Sequence, residues 1–344
     1  MKRQTIRAGL LVVFAVLVIS FGFYFYQMVN TPNVLVDKGE AYLYIPTGAT
    51  FDEVQDILHE GGYVQDLLSF SFLAKVKKYD KLVKPGRYLL QGDMTNMALV
   101  NLLRSGNQSP VRVTFNTIRM PDELAEKITS NLEISAQSVL SKLQDPATAQ
   151  KYGFTQETLV SMFIPNTYEM YWDISADELF ARMHQEYLNF WTEERRAKAR
   201  DMGLTLAEVS TLASIVQEEV GHWEEGPKIA GLYLNRLQKN YYLMADPTLK
   251  YAAGDFTITR VLNKHKEINS PYNTYKNLGL PPGPINVPEL QALKSVLNAE
   301  DHNYLYMCAK EDFSGYHNFA TNLVQHNRNA ARYQAALNER KIFQ

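Results

Sequence analysis

Two adjacent carboxylates, Glu218 and Glu219, close the stretch Thr205–Val220. Thr205 followed by Glu208 has the pattern of a capping box, in which each side chain satisfies a free backbone donor at a helix start. Leu206, Val209, Leu212, Ala213, Val216 and Val220 recur at helical spacing and predict one buried stripe. At about 100° per residue, Glu218 falls opposite that stripe, in water, and Glu219 falls between Leu212 and Ile215 on its shoulder. A carboxyl group there is partly desolvated, so its neutral form is favoured and its pKa is expected to rise. A general acid working near neutral pH needs that property. The same spacing also fits a Glu that merely borders a core at a fraying last turn, so the residues downstream of Val220 must decide.

Met244-Ala-Asp-Pro-Thr248, Ser270-Pro-Tyr-Asn-Thr-Tyr275, Gly279-Leu-Pro-Pro-Gly-Pro-Ile285, Gly315-Tyr-His-Asn-Phe-Ala-Thr-Asn322 and Gln325-His-Asn-Arg328 read as loops dense in Asn, Thr, Tyr and Pro. Helices are expected between them, at Pro227–Leu237 and Val287–Leu297, with a strand at Tyr304–Cys308. Neutral hydroxyl and amide groups beside aromatic faces suit a polysaccharide groove, whereas a phosphate site would show Gly-rich loops and Lys. Asp246 is the best second carboxylate; followed by Pro247, it reads as a loop organiser or substrate contact. His317 and His326 read as polar groove residues, since no third ligand at helical or hairpin spacing joins them, and no metal or cofactor is expected.

The elements that must position these residues form an α+β chain. With 344 residues and 46% hydrophobic content, two or three domains with sizeable cores are expected. The net charge of −2 leaves no basic footprint, so nucleic acid is not an expected partner. The single cysteine, Cys308, excludes an internal disulfide framework and a cysteine metal cluster. An uncharged apolar run from Ala8 to Phe25, preceded by Lys2, Arg3 and Arg7, is long enough to span a bilayer once, with the N-terminus in the cytoplasm. The run is long for a cleaved signal peptide, and no Ala-x-Ala-like site follows it.

Residues 1–29 are thus expected to form a cytoplasmic stub and transmembrane anchor, and 30–38 a polar tether. Within 39–110, a strand (Ala41–Ile45), two helices (Thr50–His59 and Leu67–Val76) and a strand ending at Leu90 resemble in layout a LysM-type module, which is either a spacer or a glycan binder. Residues 111–344 would be the catalytic domain, with one long amphipathic helix from Glu178 to about Asp201. Phe163-Ile-Pro-Asn-Thr-Tyr-Glu-Met-Tyr-Trp172 either lines a sugar groove or packs as a β turn.

Ala213-Ser-Ile-Val-x-x-Glu219, Leu234-Asn-Arg-Leu237, Asp246-Pro-Thr248, Tyr272-Asn-Thr-Tyr275, Gly279–Ile285 and His317-x-Phe-x-Thr-Asn322 resemble, in order and spacing, the MltG (YceG-like) family of membrane-anchored endolytic murein transglycosylases. The likeness runs from the anchor through the LysM-like module to a mixed α/β catalytic domain. The family pattern reads Ile-Val-Glu-x-Glu, with the second Glu catalytic; Gln217 stands at the first, and Glu219 matches the second. Pro165-Asn-Thr-Tyr168 likewise carries Asn166 where the family has Asp.

The resemblance implies cleavage of the β-1,4 bond between N-acetylmuramic acid and N-acetylglucosamine, leaving a 1,6-anhydromuramoyl end. Glu219 would be general acid and base. Substrate contacts are implied at Asn235, Asp246, Thr248, Tyr272, Asn273, Thr274, Tyr275, Pro282, His317, Phe319, Thr321 and Asn322. The partners implied are peptidoglycan strands, the inner membrane and peptidoglycan synthases of the elongation machinery, with the catalytic domain periplasmic. Two other readings stay open: an idle glycan-binding scaffold of that machinery, and a hydrolase using Asp246 with Glu219.

Overall fold

A computed structural model describes residues 2–36, 39–258 and 261–340. Residue 1, the end of the expected tether (37–38) and the last residues of the expected catalytic domain (341–344) lie outside them. The chain is mixed α/β and divides into two compact units, the first made of residues 1–112, 131–134 and 169–174, the second of 113–130, 135–168 and 175–344.

The first unit opens with helix α1 (Lys2–Asn30), whose residues 6–27 are exposed and whose stretch 6–30 is long and apolar enough to cross a membrane. Strand β1 (Glu40–Ile45), helices α2 (Phe51–Glu60) and α3 (Leu67–Val76), strand β2 (Gly86–Gln91) and helix α4 (Asn96–Ser105) follow. Alternation decides which strand face is inside: Leu43 and Ile45 of β1 face Tyr88 and Gly86 of antiparallel β2, and both side chains of β1 are fully buried. Thr50 and Glu53 cap α2 reciprocally, and Asp66 caps α3. Val54, Leu58, Phe70, Leu73, Tyr79 and Leu99 complete this core. Two later segments return to it: Glu133 accepts hydrogen bonds from Thr47 at 2.6 and 2.7 Å, and the Trp172 ring packs edge-on to Tyr44.

The second unit takes over within strand β3 (Val111–Phe115), which pairs with β4 (Asn166–Met170). Helices α5 (Pro121–Thr129), α6 (Ala136–Leu143) and α7 (Pro146–Lys151) lie between these strands. The aromatic stretch around β4 is therefore packed sheet, with Tyr168 only 4% exposed. The predicted long helix is broken into α8 (Ala176–Phe190) and α9 (Glu193–Asp201), because Trp191 buries in the core and Thr192 recaps the chain by accepting from Arg195 N.

Next come α10 (Leu206–Glu219), α11 (Gly226–Gln238), α12 (Asp246–Ala253), the single turn α13 (Asn263–Lys266), α14 (Leu290–Leu297), β5 (Tyr306–Ala309), β6 (His317–Ala320) and α15 (Leu323–Glu339). β5 and β6 form an antiparallel hairpin. Two stretches read as loops are thus regular: His317–Ala320 is a strand, and Gln325–Arg328 belongs to α15.

Helix α10 starts at the predicted Thr205–Glu208 capping box but has no single buried stripe: every residue from Val209 to Val216 is buried. Helices α9, α11, α12 and α14 pack around it. The polar residues on its far side meet the 285–289 backbone. Ser214 Oγ donates to Thr211 O at 2.7 Å and accepts from Ile285 N at 3.0 Å, and Gln217 Oε1 accepts from Glu289 N at 2.6 Å. Ser214→Ala should leave the Ile285 N–H buried without a partner and cost about 1–3 kcal/mol in denaturant unfolding. An unchanged unfolding midpoint would contradict this account of the staple.

Candidate active site

A cavity of about 430 Å³ opens in the second unit, walled by the end of α10, by α11, the start of α12, Tyr275, the β5–β6 hairpin and the start of α15. Glu219, the last residue of α10, faces it. Tyr233 of α11 donates to Glu219 Oε1 at 3.0 Å. Burial pushes the Glu219 carboxyl from 4.5 up to about 7, helped by the negative charge of Asp246 and opposed by the Tyr233 hydrogen bond and the cations Arg236 and Lys250. Tyr233, itself buried, is held far above its ordinary pKa and stays a neutral donor.

Asp246 shares the cavity, but as the first residue of α12 and not in a loop. It lies in the first turn of that helix, where the helix dipole favours a negative charge. The Tyr275 hydroxyl donates to Asp246 Oδ1 at 2.5 Å, and both burial and this carboxylate raise the phenol's pKa. Arg236 carries no signal of its own in the sequence, although it sits in Leu234-Asn-Arg-Leu237. Its guanidinium lines the cavity, donates to Leu305 O at 2.7 Å and to Leu243 O, and lies 5.7 Å from the Tyr306 ring.

His317 also lines the cavity, fixed by Glu225: its Nδ1 is 2.9 Å from Glu225 Oε2, and its backbone N–H donates to both carboxylate oxygens at 3.0 and 3.1 Å. Glu225 is 7% exposed, and no spacing signal pairs it with a histidine 92 positions later. His326 stacks on Tyr306 at 5.3 Å; burial lowers its pKa and keeps it neutral. The hairpin seats tightly beside the last turn of α10: a Cβ on Gly221 would lie 2.3 Å from Gly315 O.

Of the residues the sequence nominated, Glu219, Asp246, Tyr275, His317 and His326 share this cavity. The others do not line it. Asn235 donates to the carbonyls of His302 (2.6 Å) and Tyr304 (3.1 Å), tying α11 to the strand that follows. Thr248 and Thr274 are buried and hydrogen-bonded to each other at 2.9 Å, and Asn273 spends its amide on Lys266 O, Ile268 O and Tyr275 N. These three shape the loop that presents Tyr275. Tyr272 packs at 4.7 Å on Tyr251 and lines a separate cavity with Arg119 and Asn286. Pro282 and Thr321 are exposed, Phe319 packs on Tyr304, and Asn322 caps α15 by accepting from Gln325 N at 3.0 Å. Glu218, expected in water, pairs with Arg119 at 3.1 Å and accepts from Asn286 at 3.0 Å.

The family model of the YceG-like family matches residues 43–332. The endolytic murein transglycosylase of Streptococcus pneumoniae (strain D39) is 29% identical, the match covering 93% of this chain and 64% of that protein. The chain thus spans less than two thirds of the length of that relative. The endolytic murein transglycosylase of Bacillus subtilis is 28% identical over 94% of this chain and 93% of its own. A crystal structure of a yceG-like protein from Listeria monocytogenes superposes with a TM-score of 0.56 at 26% identity, covering 85% of this chain and 99% of that one.

The two neighbours of Glu219 should move its titration in opposite directions. Asp246→Asn removes a charge that raises the pKa and should bring it below about 7, whereas Tyr233→Phe removes a bond that lowers it and should take it above. Carbon-13 NMR of the glutamate carboxyls across pH checks both signs. A shift of Glu219 in the same direction in both variants would refute the assigned causes.

Proposed function

The chain belongs to the YceG-like family, and on that premise we propose that it is an endolytic murein transglycosylase whose general acid and base is Glu219. The observation that carries the reading is one carboxyl group, pushed up to about 7, at the wall of a cavity lined by tyrosines, an arginine and two histidines. Near neutral pH it is present in both protonation states, as a group that must first give and then take a proton requires. Protonated Glu219 donates to the glycosidic oxygen as the C1–O bond of the muramoyl residue breaks, and N-acetylglucosamine leaves with a free 4-hydroxyl. The Glu219 carboxylate then takes the proton of the muramoyl 6-hydroxyl as that oxygen closes on C1. No water is consumed, and Glu219 ends protonated.

Tyr233 steadies the carboxylate between the two steps. Arg236 offers donors to the acetamido and hydroxyl groups of the strand, and the Tyr275 oxygen and His317 Nε2 offer acceptors. α1 would act as a single-span anchor with residues from 30 onward outside the cytoplasm, in keeping with the basic flank before it. The βααβ layout of the first unit suits a glycan-holding role without its own chemistry.

The second reading, hydrolysis, draws on Asp246 in the same cavity. A hydrolase needs a second carboxylate to activate water or attack the sugar. Asp246 is instead engaged by Tyr275 at 2.5 Å, which favours a positioning and electrostatic role. Mass analysis of digested strands separates the readings, because an anhydro end is one water lighter than a reducing end.

Glu219→Gln should abolish anhydromuropeptide release while strand binding persists, since loss of general acid–base catalysis costs about 10²–10⁴-fold and here removes both steps. Glu218→Gln keeps its bond from Asn286 but loses the charge opposite Arg119, and should retain most activity with a small loss of stability. Equal loss in the two variants would refute the assignment. Stability supplies an independent check. The folded pKa of Glu219, about 7, exceeds its ordinary 4.5, so the stability linked to its proton is complete below pH 4.5 and is lost as pH rises through 7. Glu219→Gln should therefore melt above the parent protein at pH 8, with the gap narrowing at pH 5.

A further inference from the structure

Helix α3 carries an apolar face that the core of the first unit does not use. Phe70, Leu73 and Ala74 point into that core, whereas Leu68, Phe72 and Val76 recur every fourth residue on the other side and are 81%, 46% and 55% exposed. Three large apolar side chains in one row are not scattered surface residues; such patches mark contact surfaces. Exposed Lys75, Lys78 and Lys81 flank the C-terminal end of the row.

The position of this row relative to α1 identifies what it meets. The end of α1 is built into the first unit. Asn96 Nδ2 donates to Met28 O at 3.0 Å and to Ser69 Oγ at 2.8 Å, and its Oδ1 accepts from Asn33 at 2.6 Å. Val29 packs against the unit's core, and α1 packs on both α3 and α4. Tyr24, Gln27 and Met28 share a cavity of about 240 Å³ with Asp66 and Ser69 at the start of α3. Tyr24 and Tyr26 end the apolar run, where aromatic side chains mark the boundary between lipid and water. The first turn of α3 therefore lies at the depth of that boundary, and Phe72 is only about 6 Å further along the helix.

We propose that this face of α3 is a membrane-surface docking site, with Leu68 and Phe72 inserted among acyl chains and the three lysines on anionic headgroups. A short helix with an apolar row and lysines beside it suits the interface of a bilayer, and each lysine near an anionic surface adds attraction. The proposal rests on α1 being the membrane span. Its consequence is that the first unit is seated on the bilayer in a fixed attitude and is not swung from a flexible tether.

The test uses the full chain in a Cys308→Ala background, reconstituted in nanodiscs of phosphatidylglycerol with phosphatidylcholine and spin-labelled at one introduced cysteine. Power saturation then compares accessibility to oxygen, which concentrates in lipid, with accessibility to a water-soluble nickel chelate. Labels at Leu68→Cys and Phe72→Cys should be oxygen-accessible and nickel-protected, like Val16→Cys in α1 and unlike Asp56→Cys on α2. Replacing Lys75, Lys78 and Lys81 with Glu should raise nickel accessibility at position 68 several-fold in the anionic discs and leave position 16 unchanged. Nickel-accessible labels at 68 and 72 beside a lipid-buried 16 would overturn the docking face alone. A label shielded from both reagents would mean that a protein surface covers it, and would also overturn the proposal. Nickel access at 16 would remove the membrane span itself, while release of anhydro ends would still test the catalytic reading separately.

Discussion

The second unit depends on the burial of one helix on all sides. Val209 to Val216 of α10 leave no face to solvent, so the helix cannot rotate or slide without opening a core. Its last turn inherits that rigidity. Gln217, Glu218 and Glu219 fan out to three separate sets of partners: Glu289 with Thr117, Arg119 with Asn286, and Tyr233 alone. A carboxyl group held this way keeps its place while it gains or loses a proton, which side-chain freedom in a loop would not allow.

The charge balance around Glu219 comes from the same arrangement. Removal from water alone would favour the neutral acid strongly, and Asp246 adds to that; Tyr233, Arg236 and Lys250 pull back. The result lies near neutrality because both sides are present. Asp246 is itself restrained by the Tyr275 hydroxyl, which reaches it from a loop braced by Thr248, Asn273 and Thr274. Residues that never meet the cavity thus help to set the titration of the one that does.

This division explains which features are legible in the sequence. The capping box and the helical period of α10 are local, and local patterns are readable from spacing. That Asn235, Thr248 and Asn273 are turned inward is not local: Asn, Thr and Tyr are equally suited to sugars and to bonding a nearby carbonyl, and only the packed chain shows which carbonyls are near. Glu225 and His317 meet through folding alone. The single stripe expected along α10 fails for a related reason: Ser210, Thr211 and Ser214 are polar by type, yet Ser and Thr can return their hydroxyls to the carbonyls of the preceding turn and be buried. The break between α8 and α9 depends on the burial of Trp191 in the core, which no local pattern announces.

Two amides stand where the resemblance to the family places acids, and hydrogen bonding accounts for Gln217, while nothing in the structure explains Asn166. Gln217 uses both ends of its side chain, accepting from Glu289 N and donating to Thr117 Oγ1 at 3.3 Å. A carboxylate could accept there but not donate, and it would add a negative charge to a turn that already holds Glu218 and Glu219. Asn166 lies at the start of β4, where its Oδ1 accepts from Thr167 N at 2.8 Å. Neither side chain lines the cavity that holds Glu219. Both positions therefore lie outside that cavity, and the proposed chemistry, with one carboxyl group for both proton transfers, calls on neither side chain.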